Sequence, residues 1–471
     1  MLATPDAMEP LVRRFAGAFT RPGFQRFAAL CLGAIVTLGR RTVSRILWTL
    51  GPAAKGHSSS YHRVFSRTRW SLWPLGRVLA SAVLELIPPD QAVLCAIDDT
   101  VTQHRGRMVY GKGCHRDAVR SERGKAAVSK WGHRWVILAV LVRLPFASRP
   151  WALPILCALY RVPKVDQQEA RRHKTPCQLA RGMLAILLHW FPQRRFIALG
   201  DGGFASHDLA RFAHRHRDRL TLIARAQSKM RLHVLPPPQR PCRQTLWRRR
   251  RGARPRCRKG RRLCSPLQTV ALARAAADKR PLPTALIQWY GPSRCLMEIF
   301  SACGGWYRGR GNGAALVPLR WVHTRDPKRT DRQDWFLCTD PLLKPTQIVE
   351  YFASRWSIEV TFEEARAHLG LETTRQRCRQ SVLRTVPWLL GLFTFISLMF
   401  TQLWRRGRCA KKLHQTPCYH KSEPTFADAL YAVRRRLWDR CLLKHVLGPR
   451  RITTLPPPLK QTLLTYLAEA A

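Results

Sequence analysis

The chain has 471 residues, 46% of them hydrophobic, which allows two or three folded units and excludes a disordered tail. Its 82 Lys and Arg against 28 Asp and Glu leave a formal charge of +54 at pH 7, a field that favours polyanions, nucleic acid first among them. A GC-rich genome also raises arginine use, but it does not explain the missing acids. The 15 cysteines are odd in number and form no CxxC pair, which points to reduced thiols inside a cell rather than a disulfide framework. Cys409, His414, Cys418 and His420 in "CAKKLHQTPCYH" match no common zinc spacing.

Residues 1–90 read as helical. In "GRRTVSRILWTLG" Gly39 is a break, Thr42 an N-cap, and Val43, Ile46 and Leu47 recur at helical spacing between basic and hydroxyl residues. A helix-turn-helix-like DNA-binding unit fits this pattern. The apolar run "AALCLGAIVTLG" starts late and runs into "RRTVSRI" without a cleavage site, so it is not read as a signal peptide. "IPPDQ" marks a boundary.

From residue 92 the pattern changes to strands. "AVLCAI" runs into Asp98-Asp99, "WVILAVLVRL" and "WALPILCALY" follow, and Pro154 interrupts the last. A helix over "TPCQLARGMLAILLHWF" has Pro176 in its first turn. The strand "RRFIALG" ends in Asp201, a helix starts near Ser206, and "LTLIARA" is again a strand. The order β-β-β-α-β-α-β is that of a ribonuclease-H-like fold, a mixed sheet with helices on both faces. In that order the strands ending in Asp99 and Asp201 lie side by side.

Residues 230–345 interrupt this domain as a β-rich insertion. They carry the cationic run "RRRRGARPRCRKGRR", in which Arg248, Arg249, Arg250, Arg251, Lys259, Arg261 and Arg262 suit backbone contact without sequence reading. Strands are expected at "ALIQWY", "LRWVHT" and "WFLCTD". One long helix is then expected from Pro345-Thr346 to Gly370. "PWLLGLFTFISLMFTQLWRR" has the minimum length of a membrane span, but its Thr, Ser and Gln favour a buried helix of a soluble protein. The expected organisation is a helical N-terminal DNA-binding domain (1–90), a first catalytic part (91–229), the insertion (230–345), a second catalytic part (346–405) and a basic helical C-terminal region (406–471).

Phosphodiester chemistry needs a stronger nucleophile than water and charge stabilisation on the leaving oxygen. Two divalent ions about 3.5–4 Å apart meet both needs, and carboxylates from separate elements must converge to hold them. Asp99 and Asp201 each follow an apolar strand, and Glu359 lies in a helix of an acid-poor chain. An acid directly after a strand is ordinarily a turn former or N-cap; the three together suggest more. At ~100° per residue, Phe352, Arg355, Glu359 and Arg366 fall in a ~60° sector, while Trp356 and Glu364 point away. The plainer account of that face is a surface ion pair between Arg355 and Glu359.

"RWSIEVTFEEAR" resembles the YREK region of insertion-sequence DDE transposases of the Tn-five (insertion-sequence-four) type, close to the seven-hundred-one group. That pattern is Tyr, two residues, Arg, three residues, Glu, six residues, Lys. Arg355, Glu359 and Arg366 match its spacing, with Arg in place of Lys. "AIDDT" resembles the first-aspartate strand, where Asp precedes Thr, so Asp99 matches better than Asp98; "LGDGGFAS" resembles the second and points to Asp201. The Tyr position holds Phe352, and the nearest phenol is Tyr351.

The resemblance implies that Asp99, Asp201 and Glu359 bind two Mg²⁺ ions, with Mn²⁺ as a substitute. It also implies phosphate contacts from Arg355 and Arg366, and Tyr351 is the remaining candidate phenol. A Trp of the insertion, from Trp289, Trp306 and Trp321, would stack on a flipped base. The implied activity is cut-and-paste transposition on terminal inverted repeats and target DNA, by a homodimer in the bacterial cytoplasm at the nucleoid, with no membrane partner. A catalytically idle DNA-binding protein and a host-encoded nuclease of the same fold are the alternatives.

Overall fold

Thr20, Thr42 and Ser71 each start a helix by accepting a backbone N–H, from Gly23, Arg45 and Trp73, that has no acceptor within the helix. The helices are α1 (Glu9–Arg13), α2 (Arg21–Val36), α3 (Val43–Leu50), α4 (Ser58–Ser66) and α5 (Leu72–Leu84). Then come β1 (Val93–Gln103), β2 (Gly113–Arg116), β3 (Ser129–Val142), β4 (Trp151–Tyr160), α6 (Pro163–Gln168) and α7 (Pro176–Trp190). β5 (Phe196–Gly200), α8 (His207–Arg215), β6 (Leu220–Arg225), β7 (Leu232–His233) and α9 (Pro266–Ala275) follow. The antiparallel series β8 (Thr284–Gln288), β9 (Arg294–Arg308), β10 (Ala315–Asp326) and β11 (Arg329–Cys338) comes next. The chain closes with α10 (Pro345–Ser354), α11 (Ser357–Leu369), α12 (Arg379–Arg405), α13 (Phe426–Leu437), α14 (Leu443–Leu447) and α15 (Pro457–Ala468). This computed structural model describes residues 9–116, 128–235, 260–276, 282–290, 293–308, 315–407, 420–448, 452 and 454–469. The expected contacts at Arg248, Arg249, Arg250, Arg251 and Lys259 lie outside the described residues, as do Cys409, His414 and Cys418.

The fold is mixed α/β and divides into two units, one of Met1–Pro88, Asp99–Lys174 and Ser357–Ala471, the other of Pro89–Asp98 and Thr175–Trp356. The division falls inside β1, between its two aspartates.

In the first unit β3 pairs antiparallel with β2 and with β4, and lies beside β1. β4 tolerates Pro154 because the β3–β4 register shifts there, and the Pro154 carbonyl accepts from Thr394 Oγ1 on α12. α12 packs on β4, α5 and α13. It is long and apolar enough to cross a membrane, yet 83% of its most apolar window is buried within the protein, as a core helix would be. The hydroxyls of Ser397 and Thr401 on α12 donate to carbonyls one turn back, which satisfies these buried groups within the helix. Buried arginines in this unit serve as caps. Arg384 donates to the carbonyls of Val64 and Phe65 at the end of α4 and of Trp70 just before α5, and Arg434 donates to Ile35 and Thr37 at the end of α2. Burial pulls the Arg434 guanidinium down to about 9.

In the second unit the first half of β1 pairs parallel with β5, and β5 parallel with β6. Beyond β6 the order runs β11, β10, β9, β7, with β8 on β9. The expected strands of the insertion correspond to β8, β10 and β11. β9 was not anticipated, because Gly304 and Gly305 inside "RCLMEIFSACGGWYR" look like a break. In the fold those glycines make room for Leu232, Leu263, Leu316 and Leu235, whose side-chain atoms lie 2.6–3.4 Å from where a Cβ would sit.

Candidate active site

The single helix expected from Pro345 to Gly370 is two helices. Arg355 caps α10 with a tightened turn, its N–H reaching the Phe352 carbonyl, and α11 begins at Ser357. Glu359 therefore lies in the first turn of α11, not mid-helix, where unpaired N–H groups favour a carboxylate. Gly370, with φ of 63°, ends α11 as expected.

β1 and β5 are adjacent and parallel in the second unit, with Ile97 opposite Gly200 as the last pair. The next residue of each segment is an aspartate, Asp98 on β1 and Asp201 directly after β5. By strand alternation Asp98 shares a face with Ala96. Asp201 also performs the ordinary duty of a strand-terminal acid, since its Oδ1 accepts from Gly203 N at 2.9 Å and caps the turn Gly202–Phe204.

Within the same unit, Arg355 Nη1 donates to Asp98 Oδ2 at 2.6 Å, with the two side chains only 8% and 14% exposed. The Arg355 guanidinium lies 5.4 Å from the centre of the Phe352 ring, which packs 4.6 Å from Phe336. Phe352 thus braces the arginine from a buried position, so the phenol of the family pattern has no counterpart there. Tyr351, the substitute candidate, is half-buried on α10.

In the first unit Arg134 of β3 grips Asp99 with both arms of its fork, Nε to Oδ2 at 2.6 Å and Nη2 to Oδ1 at 2.8 Å. Arg134 also lies over the Tyr160 ring at 5.5 Å. Burial is the main force lowering the pKa of the nearby His115, with the Arg134 charge adding to it. Arg366, also in this unit, donates to Thr100 Oγ1 and pairs with Glu372 at 3.5 Å.

Among the described residues no three His, Cys, Asp or Glu side chains are gathered to hold a metal ion. Magnesium, however, takes one or two protein carboxylates and completes its shell with water and phosphate oxygens. Asp98 and Asp201 supply two carboxylates that directly follow the last paired residues of neighbouring strands.

The aromatic candidates separate by burial. Trp321 is 3% exposed and packs against Phe300 and Trp335. Trp289 is half-buried between Tyr290 and Phe336, and Trp306 is half-buried with its ring edge to His207. Trp356 is 46% exposed beside Tyr290, with ring centres 5.8 Å apart; its direction away from the acid face hid it from the sequence reading. Arg261 and Arg262 are exposed.

A model of the family described as "DDE superfamily endonuclease" matches residues 14–294, more than half of the chain. The matched span contains Asp98, Asp99 and Asp201, and Glu359 lies beyond it. Among solved structures, the cryo-EM structure of the piggyBac transposase synaptic complex with hairpin DNA is similar at 11% identity and a TM-score of 0.38. That likeness covers 98% of this chain and 80% of the other, and a score this low does not establish a shared fold. No curated protein matches.

Proposed function

We propose that this chain, which belongs to the DDE superfamily endonuclease family, is a DNA transposase that cuts and rejoins strands at the ends of a mobile element. The observation that carries the reading is that β1, which carries the Asp98–Asp99 pair, and β5, which leads into Asp201, are adjacent parallel strands inside the span the family model matches. The strand orders of the two units support a ribonuclease-H-like sheet, and the YREK spacing supports membership of the Tn-five type, close to the seven-hundred-one group.

Asp201, Glu359 and one aspartate of the Asp98–Asp99 pair, for which the motif favours Asp99, would hold divalent ions, Mg²⁺ or Mn²⁺. Bound ions supply activation of the attacking oxygen and charge stabilisation at the leaving one. The chain's own part is to place the scissile phosphate. Arg355 and Arg366 present planar cations suited to phosphate oxygens, and Phe352 keeps Arg355 in place. Water would first open one strand, and the freed 3′-hydroxyl would attack the second strand or the target by in-line transfer. The helices α3 and α4 supply a helix-turn-helix for terminal-repeat DNA, with Arg45, His62 and Arg63 exposed. A homodimer bridging two ends in the bacterial cytoplasm completes the reading.

The test is divalent-dependent nicking of DNA that carries the element's terminal inverted repeats. Asp201→Asn should lose at least about a thousandfold in rate, roughly 4 kcal/mol of barrier. The fold should be kept, because the Asn oxygen can still accept from Gly203 N. Full activity of that variant would rule out the site. One observation favours an idle DNA-binding protein instead, namely that both β1 aspartates are held by arginines. Absence of nicking with intact DNA binding would select that reading. A host nuclease would lack flanking inverted repeats and a target duplication.

A further inference from the structure

We propose that Trp131, on the β2–β3 pair of the first unit, is a stacking platform for an unpaired DNA base, with the cations around it holding the neighbouring phosphates. The inference deepens the transposase reading and rests on it for the ligand, DNA.

An indole gains much from burial, yet Trp131 is 58% exposed. The register explains where it points. Cys114 pairs with Trp131 and Arg116 with Ser129, so alternation puts these four on one face of the pair, and all four are exposed. Gly113 and His115 alternate to the other face and are buried. The strand is fixed in that setting. The Trp131 carbonyl accepts from His104 N at 3.2 Å, and a Cβ on Gly132 would stand 2.1 Å from the Thr102 carbonyl oxygen, so β3 lies close against the end of β1. Lys112 Nζ sits 5.5 Å from the centre of the Trp131 ring and donates to the Gly106 carbonyl at 2.7 Å. The platform thus carries a held cation at its side.

The chain around it is basic. Residues 101–116, "VTQHRGRMVYGKGCHR", contain no acid, and Arg105, Arg107 and Arg116 among them are exposed. Tyr110 N donates to the Arg377 carbonyl at 3.0 Å, which ties this segment to "TTRQRCR" (373–379). That stretch also lacks an acid, and its Arg375 and Arg377 are exposed. Burial first, and then the charges of Lys112, Arg375 and Arg377, lower the pKa of His104. Glu372, at the edge of the patch, is engaged by Lys130 and Arg366, each at 3.5 Å, and by Gln103 N. A surface tryptophan shaded by a lysine stem would need none of these arginines. A flat apolar ring among cations suits a base face with phosphates beside it, and only an unpaired strand offers that face, because a duplex hides it in the stack. The patch begins at Gln103, four residues beyond Asp99 on β1. That is roughly 13 Å along the strand, so DNA opened near this aspartate lies within reach.

The experiment is fluorescence anisotropy of the full-length protein with two labelled probes, a short single-stranded oligodeoxynucleotide and the blunt duplex of the same sequence. A 2-aminopurine in the single strand reports stacking. Trp131→Ala should weaken single-strand binding roughly fivefold to a hundredfold, the range of one stacked base, and leave duplex binding within about twofold. Trp131→Phe should keep most of the affinity, while Trp131→Leu, apolar but without an aromatic face, should behave as Ala does. If Trp131→Ala melts early, the comparison of Phe with Leu at matched melting temperature decides. Arg105→Gln with Arg107→Gln should weaken both probes and flatten the salt dependence. Wild-type single-strand affinity in Trp131→Ala, or an equal loss on both probes, overturns the proposal, as does a Leu variant that binds as well as Phe. A wild type that cuts no DNA with any divalent ion, yet loses single-strand affinity in Trp131→Ala, removes the transposase reading and leaves this one standing.

Discussion

Replacing Arg384 with Met tests how the N-terminal helices are held to the core helix of their unit. The Arg384 guanidinium is buried and donates to the carbonyls of Val64, Phe65 and Trp70 at 3.3, 3.2 and 2.8 Å. It also lies 4.4 Å from the centre of the Trp70 ring. Met keeps most of the apolar stem and removes all four contacts. A hydrogen bond from a charged donor contributes about 1.5–3 kcal/mol, but the Val64 carbonyl keeps a second donor in Trp70 Nε1 at 2.6 Å. The cation–π contact adds about 1–2 kcal/mol in a desolvated setting, while a neutral Met is cheaper to bury than a guanidinium. The net expected loss is about 3–4 kcal/mol. Urea unfolding followed by tryptophan fluorescence reads it, and Trp70 is itself a reporter. A loss below about 1 kcal/mol at unchanged m-value would refute the idea that this arginine ties α4 to α12.

Acid should loosen both units through buried neutral histidines. His133 in the first and His323 in the second are each pushed down from 6.5 to about 4, chiefly by burial. The unfolded chain therefore takes up these protons first, so the stability they contribute is whole above pH 6.5 and is lost as pH falls towards 4. The full effect is about 3 kcal/mol per group as an order of magnitude. Denaturant midpoints that are flat between pH 6.5 and 4.5 would contradict this. Gly132→Ala would place a Cβ 2.1 Å from the Thr102 carbonyl oxygen, a clash with backbone that cannot be relieved by rotating a side chain. Insoluble expression or a loss of at least about 3 kcal/mol is expected, and a melting curve like the wild type's would show that β3 can shift there. Native-state alkylation should modify the exposed Cys114, Cys264, Cys303 and Cys378 and spare Cys95, whose thiol is buried and pushed up; mass spectrometry of the labelled peptides decides. Binding to non-specific duplex DNA should fall roughly 10³-fold or more between 50 and 200 mM salt if six or more phosphates are neutralised, and a shallow slope would deny a role to the +54 charge.

Local chemistry made much of this protein legible without coordinates. Thr42 as a cap, Pro176 in a first turn and Gly370 as a stop depend on a residue and its near neighbours, and each is found where expected. The apolar strands ending in acid were equally plain, because burial on both faces leaves an uninterrupted apolar run. Tertiary contacts decided the rest. The helix break at Arg355 was invisible, since both halves have helical sequence. β9 was hidden because its glycines earn their place only against leucines distant in sequence. Trp321 is buried and Trp356 exposed because burial depends on what packs against a ring. The two β1 aspartates are a further case, because identical neighbouring side chains carry no local difference and only arginines from distant segments, Arg355 on Asp98 and Arg134 on Asp99, tell them apart.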